Sequence, residues 1–202
     1  MALEFDVNRT SKAPAMKRFF LRLFLFFAET ALVIGLAYAI IEYAVERTIM
    51  TGVSMEATLE DGAAIIINKL SYIKKDPKRF DVIVFKQMGV EHSYYNVKRV
   101  IGLPGETVSI VNGAVYINGE RLEEPVEGLE QIHLAGLAEK EFVLDTDEYF
   151  VLGDNRNQSE DSRFANVGNI TREEIIGKAW ITVNPFDIIS LKNLKQEEET
   201  ED

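Results

Sequence analysis

The amino-acid sequence predicts a mainly β domain that follows one membrane-spanning helix near the N-terminus. The densest apolar run of the chain extends from Phe19 to about Val45. From residue 62 onward the pattern changes to short runs of β-branched and aromatic residues separated by turn signals, which is typical of strands. The chain has 202 residues, of which 47% are apolar, so it is long and apolar enough to form one or two domains with a real core.

The apolar run is long enough to cross a bilayer. Between Leu23 and Ile41 the single ionisable residue is Glu29, and a helix needs about 20 mostly apolar residues to span the hydrocarbon. A cleaved secretory signal is one alternative, but the run exceeds the usual apolar core of such signals and ends in no Ala-x-Ala site. A buried globular helix is the other, and the run lacks the polar stripe that would favour it.

The charges flanking this run predict its orientation. Several bases and no acid lie between Asn8 and Arg22, whereas Glu42 and Glu46 follow the run with a single base, Arg47. The positive-inside rule then leaves the N-terminus in the cytoplasm. The predicted order is a cytoplasmic segment 1–18, a transmembrane helix 19–45, an extracytoplasmic β-rich domain 46–190 and an acidic tail 191–202.

Turn chemistry divides the exported domain into strands. Asn112-Gly113 and Asn118-Gly119 are strong hairpin signals, because both central residues of a type I′ turn need a positive φ. The residues between 123 and 142 are polar and irregular, and we interpret them as an excursion from the sheet. The segments that read as strands are 63–70, 81–88, 93–102, 107–122, 148–154 and 177–186.

Two short helical signals interrupt the strands. Residues 54–61 are compatible with a short turn of helix. Thr171 and Glu174 have the spacing of a capping box, in which a hydroxyl and a carboxylate satisfy the first backbone N–H groups of a brief helix.

Composition excludes several classes of function. Acids outnumber bases by 33 to 22, giving a formal net charge of −11, and nucleic-acid binding requires a basic face. The chain has no Cys, which excludes disulfides, iron–sulfur clusters, zinc–thiolate sites and cysteine nucleophiles. With two His and no HExxH motif, a histidine metal centre is not expected, and we predict neither a cofactor nor a metal.

A Ser–His–Asp triad is also disfavoured. The candidate bases are His92, beside a predicted turn, and His133, in the irregular excursion, and a surface position is the simpler interpretation of both. What remains is a hydroxyl nucleophile that uses a base other than histidine.

Three motifs support that possibility. Gly52-Val-Ser-Met-Glu-Ala-Thr-Leu59 follows the apolar run, Lys98-Arg-Val-Ile-Gly-Leu-Pro-Gly-Glu106 follows later, and Gly153-Asp-Asn-Arg-Asn-Gln-Ser-Glu-Asp-Ser-Arg163 is third. Asp81-Val-Ile-Val-Phe85 lies between the first two. In this order behind an N-terminal anchor, the motifs resemble type I signal peptidases, and the resemblance extends from the anchor to about Ala179.

The resemblance implies the family's β-fold, which is related to that of the LexA and UmuD self-cleaving proteins, and a Ser/Lys peptidase mechanism. Ser54 matches the nucleophile and Lys98 the general base, with Ser159 matching the serine that orients the lysine amine. The supporting positions are Asp154, Asp161, Arg163 and Gly52, where some family members have an oxyanion-binding serine. The resemblance also implies shallow pockets for small substrate residues, lined by Met50, Met55, Leu59, Val84 and Val97.

The implied partners are secretory preproteins, the lipid bilayer and the neighbourhood of the export translocon. The plasma membrane is the expected location, and Gly52 favours the single-span Gram-positive branch. Ala57 stands where the family usually has proline, a change that loosens the backbone but removes no reacting group.

Elementary chemistry is compatible with a lysine base. A free lysine has a pKa of about 10.4, so it must be desolvated to act near neutral pH. Strand alternation places Lys98 on one face with Asn96 and Val100, and Arg99 on the other. We therefore expect Arg99 to face solvent while Lys98 points inward.

Three other interpretations remain open at this stage. A LexA- or UmuD-type self-cleaving protein would use the same dyad, but would carry a soluble domain where the apolar run lies. A non-catalytic anchored scaffold would not need Ser54 and Lys98. A β-lactam-sensitive acyltransferase would need an SxxK motif, but Met-Glu-Ala follows Ser54.

Overall fold

The structure, a computed structural model, describes residues 13–87, 94–183 and 186–189. The chain divides into an N-terminal unit ending at Glu42 and a second unit that begins at Tyr43. Helix α1 (Ala13–Ala44) accounts for the described part of the first unit. Its segment Met16–Ala44 is long and apolar enough to cross a membrane, with a mean hydropathy of 2.2. The helix predicted at 19–45 is present and begins six residues earlier.

The second unit is built from short strands, as predicted. In the described residues they are β1 (Val45–Ile49), β2 (Ala64–Asn68), β3 (Val82–Phe85), β4 (Asn96–Gly102), β5 (Thr107–Val111), β6 (Ala114–Ile117), β7 (Glu120–Arg121), β8 (Phe142–Val143), β9 (Glu148–Leu152), β10 (Ile170–Thr171), β11 (Ile175–Val183) and β12 (Phe186–Ile188). Short 3₁₀ turns lie at Lys69–Tyr72, Gly136–Glu139 and Arg172–Glu174.

The larger sheet is antiparallel, with the strand order β1-β2-β11-β3-β4-β9-β10. Strand β11 pairs with β2 along one edge and with β3 and β12 along the other. Register shifts interrupt the β11 pairings and the β4–β9 pairing, and irregularities of this kind bend and twist a sheet. Six of the seven residues of β4 are buried, so this central strand is covered on both faces.

The smaller sheet has the order β7-β6-β5-β8. Its hairpins contain both predicted turns, because Asn112 and Gly113 have φ of 50° and 77° and Asn118 and Gly119 have φ of 52° and 82°. A buried apolar cluster connects it to the larger sheet, with Ile101 and Phe150 packing in the same cluster as Val108. The two sheets therefore share one buried apolar cluster.

The mainly β fold class is confirmed, while the detail of several elements differs from the prediction. The segment 107–122 forms three strands, which are joined by the two predicted Asn-Gly turns. The excursion at 123–142 ends where β8 rejoins the smaller sheet beside β5. Strand β1 was not predicted. Its sequence, Val45–Ile49, has too little apolar alternation to indicate a strand.

The two helical signals gave different results. Residues 54–58 form turns, with one helix-like hydrogen bond from the Leu59 N–H to the Met55 carbonyl at 2.7 Å, so the segment holds a single turn and no longer helix. The capping box is present: the Glu174 carboxylate accepts the Thr171 N–H at 2.8 Å, and a single 3₁₀ turn follows. The acidic tail at 191–202 and His92 lie outside the described residues.

Candidate active site

Ser54 lies on a turn that is closed at its base by backbone hydrogen bonds. The Met50 N–H donates to the Ala63 carbonyl at 2.8 Å, and the Gly62 N–H donates to the Met50 carbonyl at 3.0 Å. Within this loop Gly52 has a φ of 93°, a left-handed conformation that favours glycine. Its N–H donates to Asp61 Oδ1 at 2.8 Å. The loop thus presents a half-buried Ser54 just beyond the end of β1.

Lys98 approaches Ser54 from the central strand β4. Its Nζ lies 2.8 Å from Ser54 Oγ, although 44 positions separate the two residues in the chain. The side chain of Lys98 is only 5% exposed, and on the neighbouring strand its register partner is Ile83. The sheet therefore holds a primary amine in a largely dry environment, within proton-transfer distance of a hydroxyl.

Burial changes the acid–base chemistry of this amine. Desolvation lowers the pKa of Lys98 below its usual value, and the negative charges of Asp161, Glu160 and Asp154 partly oppose that effect. Desolvation disfavours the ammonium form because the charge loses its hydration. A neutral amine beside a serine hydroxyl is able to accept the hydroxyl proton.

Arg99, the next residue of β4, does not face solvent, and that prediction is wrong. It is 3% exposed and makes a bidentate ion pair with Asp154, with Nε 2.8 Å from Oδ1 and Nη2 2.6 Å from Oδ2. The alternation rule assumes one wet face, but β4 is covered on both sides. Arg99 is buried with a counterion instead of being exposed.

The same ion pair fixes the loop of residues 50–63, which carries the candidate nucleophile Ser54 and is called the nucleophile loop below. Thr58 Oγ1 donates to Asp154 Oδ2 and accepts a hydrogen bond from Arg99 Nη2 at 3.0 Å. The Asn155 N–H donates to the Ser54 carbonyl at 3.1 Å. Strand β4, the nucleophile loop and the segment after β9 therefore meet in one buried polar network.

A second ion pair orders residues 153–163. Asp161 pairs with Arg163, whose Nε lies 2.7 Å from Oδ1, and Asp161 Oδ2 also accepts the Gly153 N–H at 3.0 Å. Arg163 donates further to the backbone carbonyl of Arg156 at 2.6 Å. These contacts bring Asp161 close enough for its charge to act on Lys98.

Gly153 lies where no side chain fits. A Cβ at this position would overlap Ser159 Oγ and stand 2.5 Å from the Ser54 carbonyl oxygen. Ser159 is buried, and its Oγ has no hydrogen-bond partner within the described part of the chain. The hydrogen bond from Ser159 to the Lys98 amine that the family resemblance implies is thus not formed in this conformation, and its role stays a prediction.

The five residues expected to line substrate pockets share one apolar cluster. Met50, Met55, Leu59, Val84 and Val97 all belong to it. Each of them is nearly fully buried, and Tyr95 and Ile176 pack against them while remaining partly exposed. The structure brings these side chains together beneath the nucleophile loop, and their role as pocket walls stays a prediction.

Sequence reasoning missed three participants in the site. Arg99 was assigned to solvent, and neither Thr58 nor Gly153 was singled out. The available signal was the buried-charge requirement: a central strand with adjacent Lys and Arg needs acidic partners nearby. His133, by contrast, is exposed, as expected from the sequence.

Comparisons with known proteins show the family of this chain. Residues 23–184 match the family described as signal peptidase, peptidase S26. This chain belongs to that family. A signal peptidase I of Leptolyngbya laminosa is 39% identical over 158 residues, which is 75% of each chain. Signal peptidase I V of Bacillus subtilis (strain 168) is 38% identical over 147 residues, which is 68% of this chain and 82% of the relative.

A solved structure also matches the chain. The crystal structure of a signal peptidase I from Enterococcus faecalis V583 has 32% sequence identity and a TM-score of 0.41, covering 52% of this chain and 97% of that chain.

Membership of the signal peptidase family identifies the protein as a peptidase. It also decides among the interpretations that the sequence left open, because the match covers the apolar helix from residue 23 as well as the β domain. A soluble self-cleaving protein and a β-lactam-sensitive acyltransferase are no longer needed to explain the motifs.

Replacing Gly153 with alanine should inactivate this signal peptidase. The added Cβ must displace Ser159 or the Ser54 backbone, and a misplacement of about 1 Å can reduce a rate by about 100-fold. We expect at least that loss in kcat for Gly153→Ala, measured as peptidase activity in detergent. Gly35→Ala is the control, since a Cβ there meets nothing within 4 Å; equal activity of the two variants would contradict the steric argument.

Removing the charge of Asp154 should destabilise the domain. Asp154→Asn leaves the Arg99 guanidinium buried without its counterion, and breaking a buried pair in this way costs about 3–5 kcal/mol. Thermal unfolding followed by near-UV circular dichroism measures the effect. Glu120→Gln, at an exposed position of β7, should change stability by less than about 0.5 kcal/mol. A similar small change in Asp154→Asn would show that the ion pair does not hold the network together.

Proposed function

We propose that this protein is a membrane-bound serine endopeptidase that removes N-terminal signal peptides from exported preproteins by a Ser54/Lys98 mechanism. The observation that carries the proposal is the 2.8 Å separation of Lys98 Nζ and Ser54 Oγ, together with the burial that lowers the pKa of Lys98. A hydroxyl becomes a useful nucleophile when an adjacent base is neutral and positioned to accept its proton.

The mechanism has two halves. In the first, the neutral Lys98 amine takes the Ser54 proton while Oγ attacks the carbonyl carbon of the scissile bond. The resulting ammonium then gives the proton to the leaving amine, and an ester between Ser54 and the signal peptide remains. In the second half, Lys98 accepts a proton from water while the resulting hydroxide attacks the ester carbonyl. The bond to Ser54 Oγ then breaks, the signal peptide leaves with a carboxyl group, and the Lys98 ammonium returns its proton to Oγ.

The oxyanion formed in each half needs hydrogen-bond donors. The Ser54 N–H is the first donor in this proposal. Gly52 provides no side-chain hydroxyl, and its own N–H donates to Asp61. The second donor is therefore a water molecule or another backbone N–H.

Three residues support the dyad without reacting themselves. Asp161 and Arg163 hold the 153–163 segment through their ion pair, and this places the negative charge of Asp161 near Lys98. Ser159 Oγ and the Ser54 carbonyl oxygen both lie next to Gly153, and in this proposal a rotation of the Ser159 hydroxyl orients the amine during the reaction.

We assign substrate selection to the apolar cluster beneath the loop. In this proposal the pocket walls are five apolar side chains, Met50, Met55, Leu59, Val84 and Val97. Such walls accept alanine-sized residues, because larger side chains would clash with them. Substrates would carry small residues at the first and third positions before the cut. The extended substrate would pair with an exposed strand edge beside Ser54.

Helix α1 is the membrane anchor in this proposal, and the flanking charges place the N-terminus in the cytoplasm. The β domain then lies on the other side of the plasma membrane. Signal peptides carry an apolar segment into the same bilayer, near the export translocon, so confinement to one membrane raises the effective substrate concentration.

Substitution of either dyad residue tests the proposal. Ser54→Ala and Lys98→Met should each reduce cleavage of a purified preprotein with an Ala-x-Ala site by at least about 100-fold, because each removes one partner of the proton transfer. The readout is the appearance of mature protein in detergent or liposomes. Wild-type protein should not cut the same preprotein when leucine replaces the alanine before the cut. Retained cleavage in either dyad variant would contradict the proposed Ser54/Lys98 mechanism.

Lys98→Met also makes a prediction about stability. The pKa of Lys98 is lower in the folded state than in the unfolded state, so the ammonium costs folding free energy, fully so below the folded-state pKa. The variant should be as stable as wild type above the pKa of free lysine and more stable at lower pH. A uniform loss of stability would instead mean that the amine is not desolvated.

The pH dependence of cleavage tests the assignment of the base. Activity should rise with pH as Lys98 loses its proton, and this acid limb should lie below the pKa of about 10.4 of a free lysine. The Glu160 carboxylate raises the pKa of Lys98, so Glu160→Gln should move the limb to lower pH. Glu120→Gln should leave the acid limb in place. An equal shift in both variants would mean that the shift comes from the net charge of the protein and not from the position of Glu160.

A further inference from the structure

A basic and apolar turn lies outside the active site, at residues 69–75. Leu70 is 49% exposed and Ile73 is 66% exposed, and the exposed Lys74 and Lys75 follow directly. A hollow of about 430 Å³ is lined by Leu70, Ile73, both lysines and two neighbouring residues. Exposed aliphatic and cationic side chains are thus concentrated here, in a chain whose formal net charge is −11.

This turn is held rigidly, with its apolar side chains pointing outward. Asn68 Oδ1 accepts the Leu70 N–H at 2.9 Å and the Ser71 N–H at 3.2 Å. Tyr72, between the two exposed aliphatic residues, is buried, and its hydroxyl donates to Asp81 Oδ2 at 2.9 Å. Because Tyr72 is fixed in the core, Leu70 and Ile73 stay exposed instead of folding back against the domain.

The turn also lies at a defined place in the fold. Asn68, the last residue of β2, is paired with Val45, the first residue of β1, and Val45 directly follows the last residue of α1. Lys69 makes an ion pair with Glu46 at 2.6 Å. The 69–75 turn is therefore tied to the strand at the point where the chain leaves its apolar helix.

Ser54 follows the opposite end of the same strand. The other terminus of β1, Ile49, pairs with Ala64, and the nucleophile loop lies between these two residues. The turn and the dyad are thus separated by the length of β1.

One nearby carboxylate, Asp76, is 3.8 Å from Arg172 and does not cancel the charge of both Lys74 and Lys75.

We propose that residues 69–75 bind the surface of an anionic phospholipid bilayer, with Leu70 and Ile73 entering the interface and Lys74 and Lys75 contacting the headgroups. Exposed aliphatic side chains beside lysines are the combination that binds such interfaces. The inference rests on the proposed anchoring by α1, which brings this end of β1 next to the membrane. It adds a second membrane contact, made by the β domain itself.

Site-specific fluorescence in the full chain tests this contact. The chain has no cysteine, so Ile73→Cys, Leu137→Cys and Leu32→Cys each give one labelling site for an environment-sensitive dye. Leu137 is the matched control, an exposed leucine on the 3₁₀ turn beside the smaller sheet, and Leu32 reports on α1. The labelled proteins are reconstituted in phosphatidylcholine vesicles with and without phosphatidylglycerol, and quenching by bilayer-embedded spin-labelled lipid is measured.

We expect strong quenching at positions 32 and 73 and little at position 137. Quenching at position 73 should increase with phosphatidylglycerol, and Lys74→Glu with Lys75→Glu should abolish that increase. Reversing two exposed bases elsewhere, with Arg121→Glu and Lys140→Glu, should not. Preprotein cleavage in detergent should be unchanged by the charge reversal at 74 and 75.

The outcomes separate this proposal from the anchoring on which it rests. Quenching at 32 but not at 73 would overturn the lipid contact and leave the anchor intact. Quenching at 73 that does not respond to phosphatidylglycerol or to the lysine reversals would overturn the role of the charges. Absence of quenching at both positions would overturn the anchor and the contact together, whereas cleavage in detergent would still report on the dyad.

Discussion

The central constraint in this structure is the burial of one amine against one hydroxyl. Lys98 is held on a strand covered on both faces, where loss of hydration lowers its pKa, and Ser54 is placed 2.8 Å from it. An exposed lysine at the same distance would stay protonated near neutral pH and would be a poor base. The proposed chemistry therefore depends on a property of the fold, the burial of β4 on both faces, as much as on the two residues.

The pKa of a buried amine also depends on the charged side chains around it, and near Lys98 most of these are paired with each other. Arg99 is as deeply buried as Lys98, and its positive charge is compensated by a bidentate pair with Asp154. Asp161 is likewise paired with Arg163, so two of the three acidic residues whose charge acts on Lys98 already have a cationic partner. Their residual field raises the pKa of Lys98 less than desolvation lowers it. The same pairs fix the nucleophile loop through Thr58 and the 153–163 segment through Gly153, so electrostatics and positioning depend on the same residues.

Strand β1 relates the two functional regions of the domain. At one end it is tied to the basic and apolar turn by the pairing of Val45 with Asn68 and by the Lys69–Glu46 ion pair. At the other end it leads into the loop with Ser54. A bilayer contact at the first end would attach the domain to the membrane at two places, the helix and the turn. Two attachments would restrict how the nucleophile loop is oriented relative to the membrane.

Local composition, turn stereochemistry and specific motifs were enough to predict the apolar helix, the mainly β class, both Asn-Gly hairpins and the two residues of the proposed dyad. The same local signals did not predict that Arg99 is buried, that Thr58 shares its counterion, or that Ser54 and Ser159 both lie against Gly153. These facts arise from residues 41 to 105 positions apart that meet only when β4, β9 and the nucleophile loop pack together. Strand alternation describes a strand with one solvent-exposed face, whereas β4 has none, because other parts of the domain pack against both of its faces.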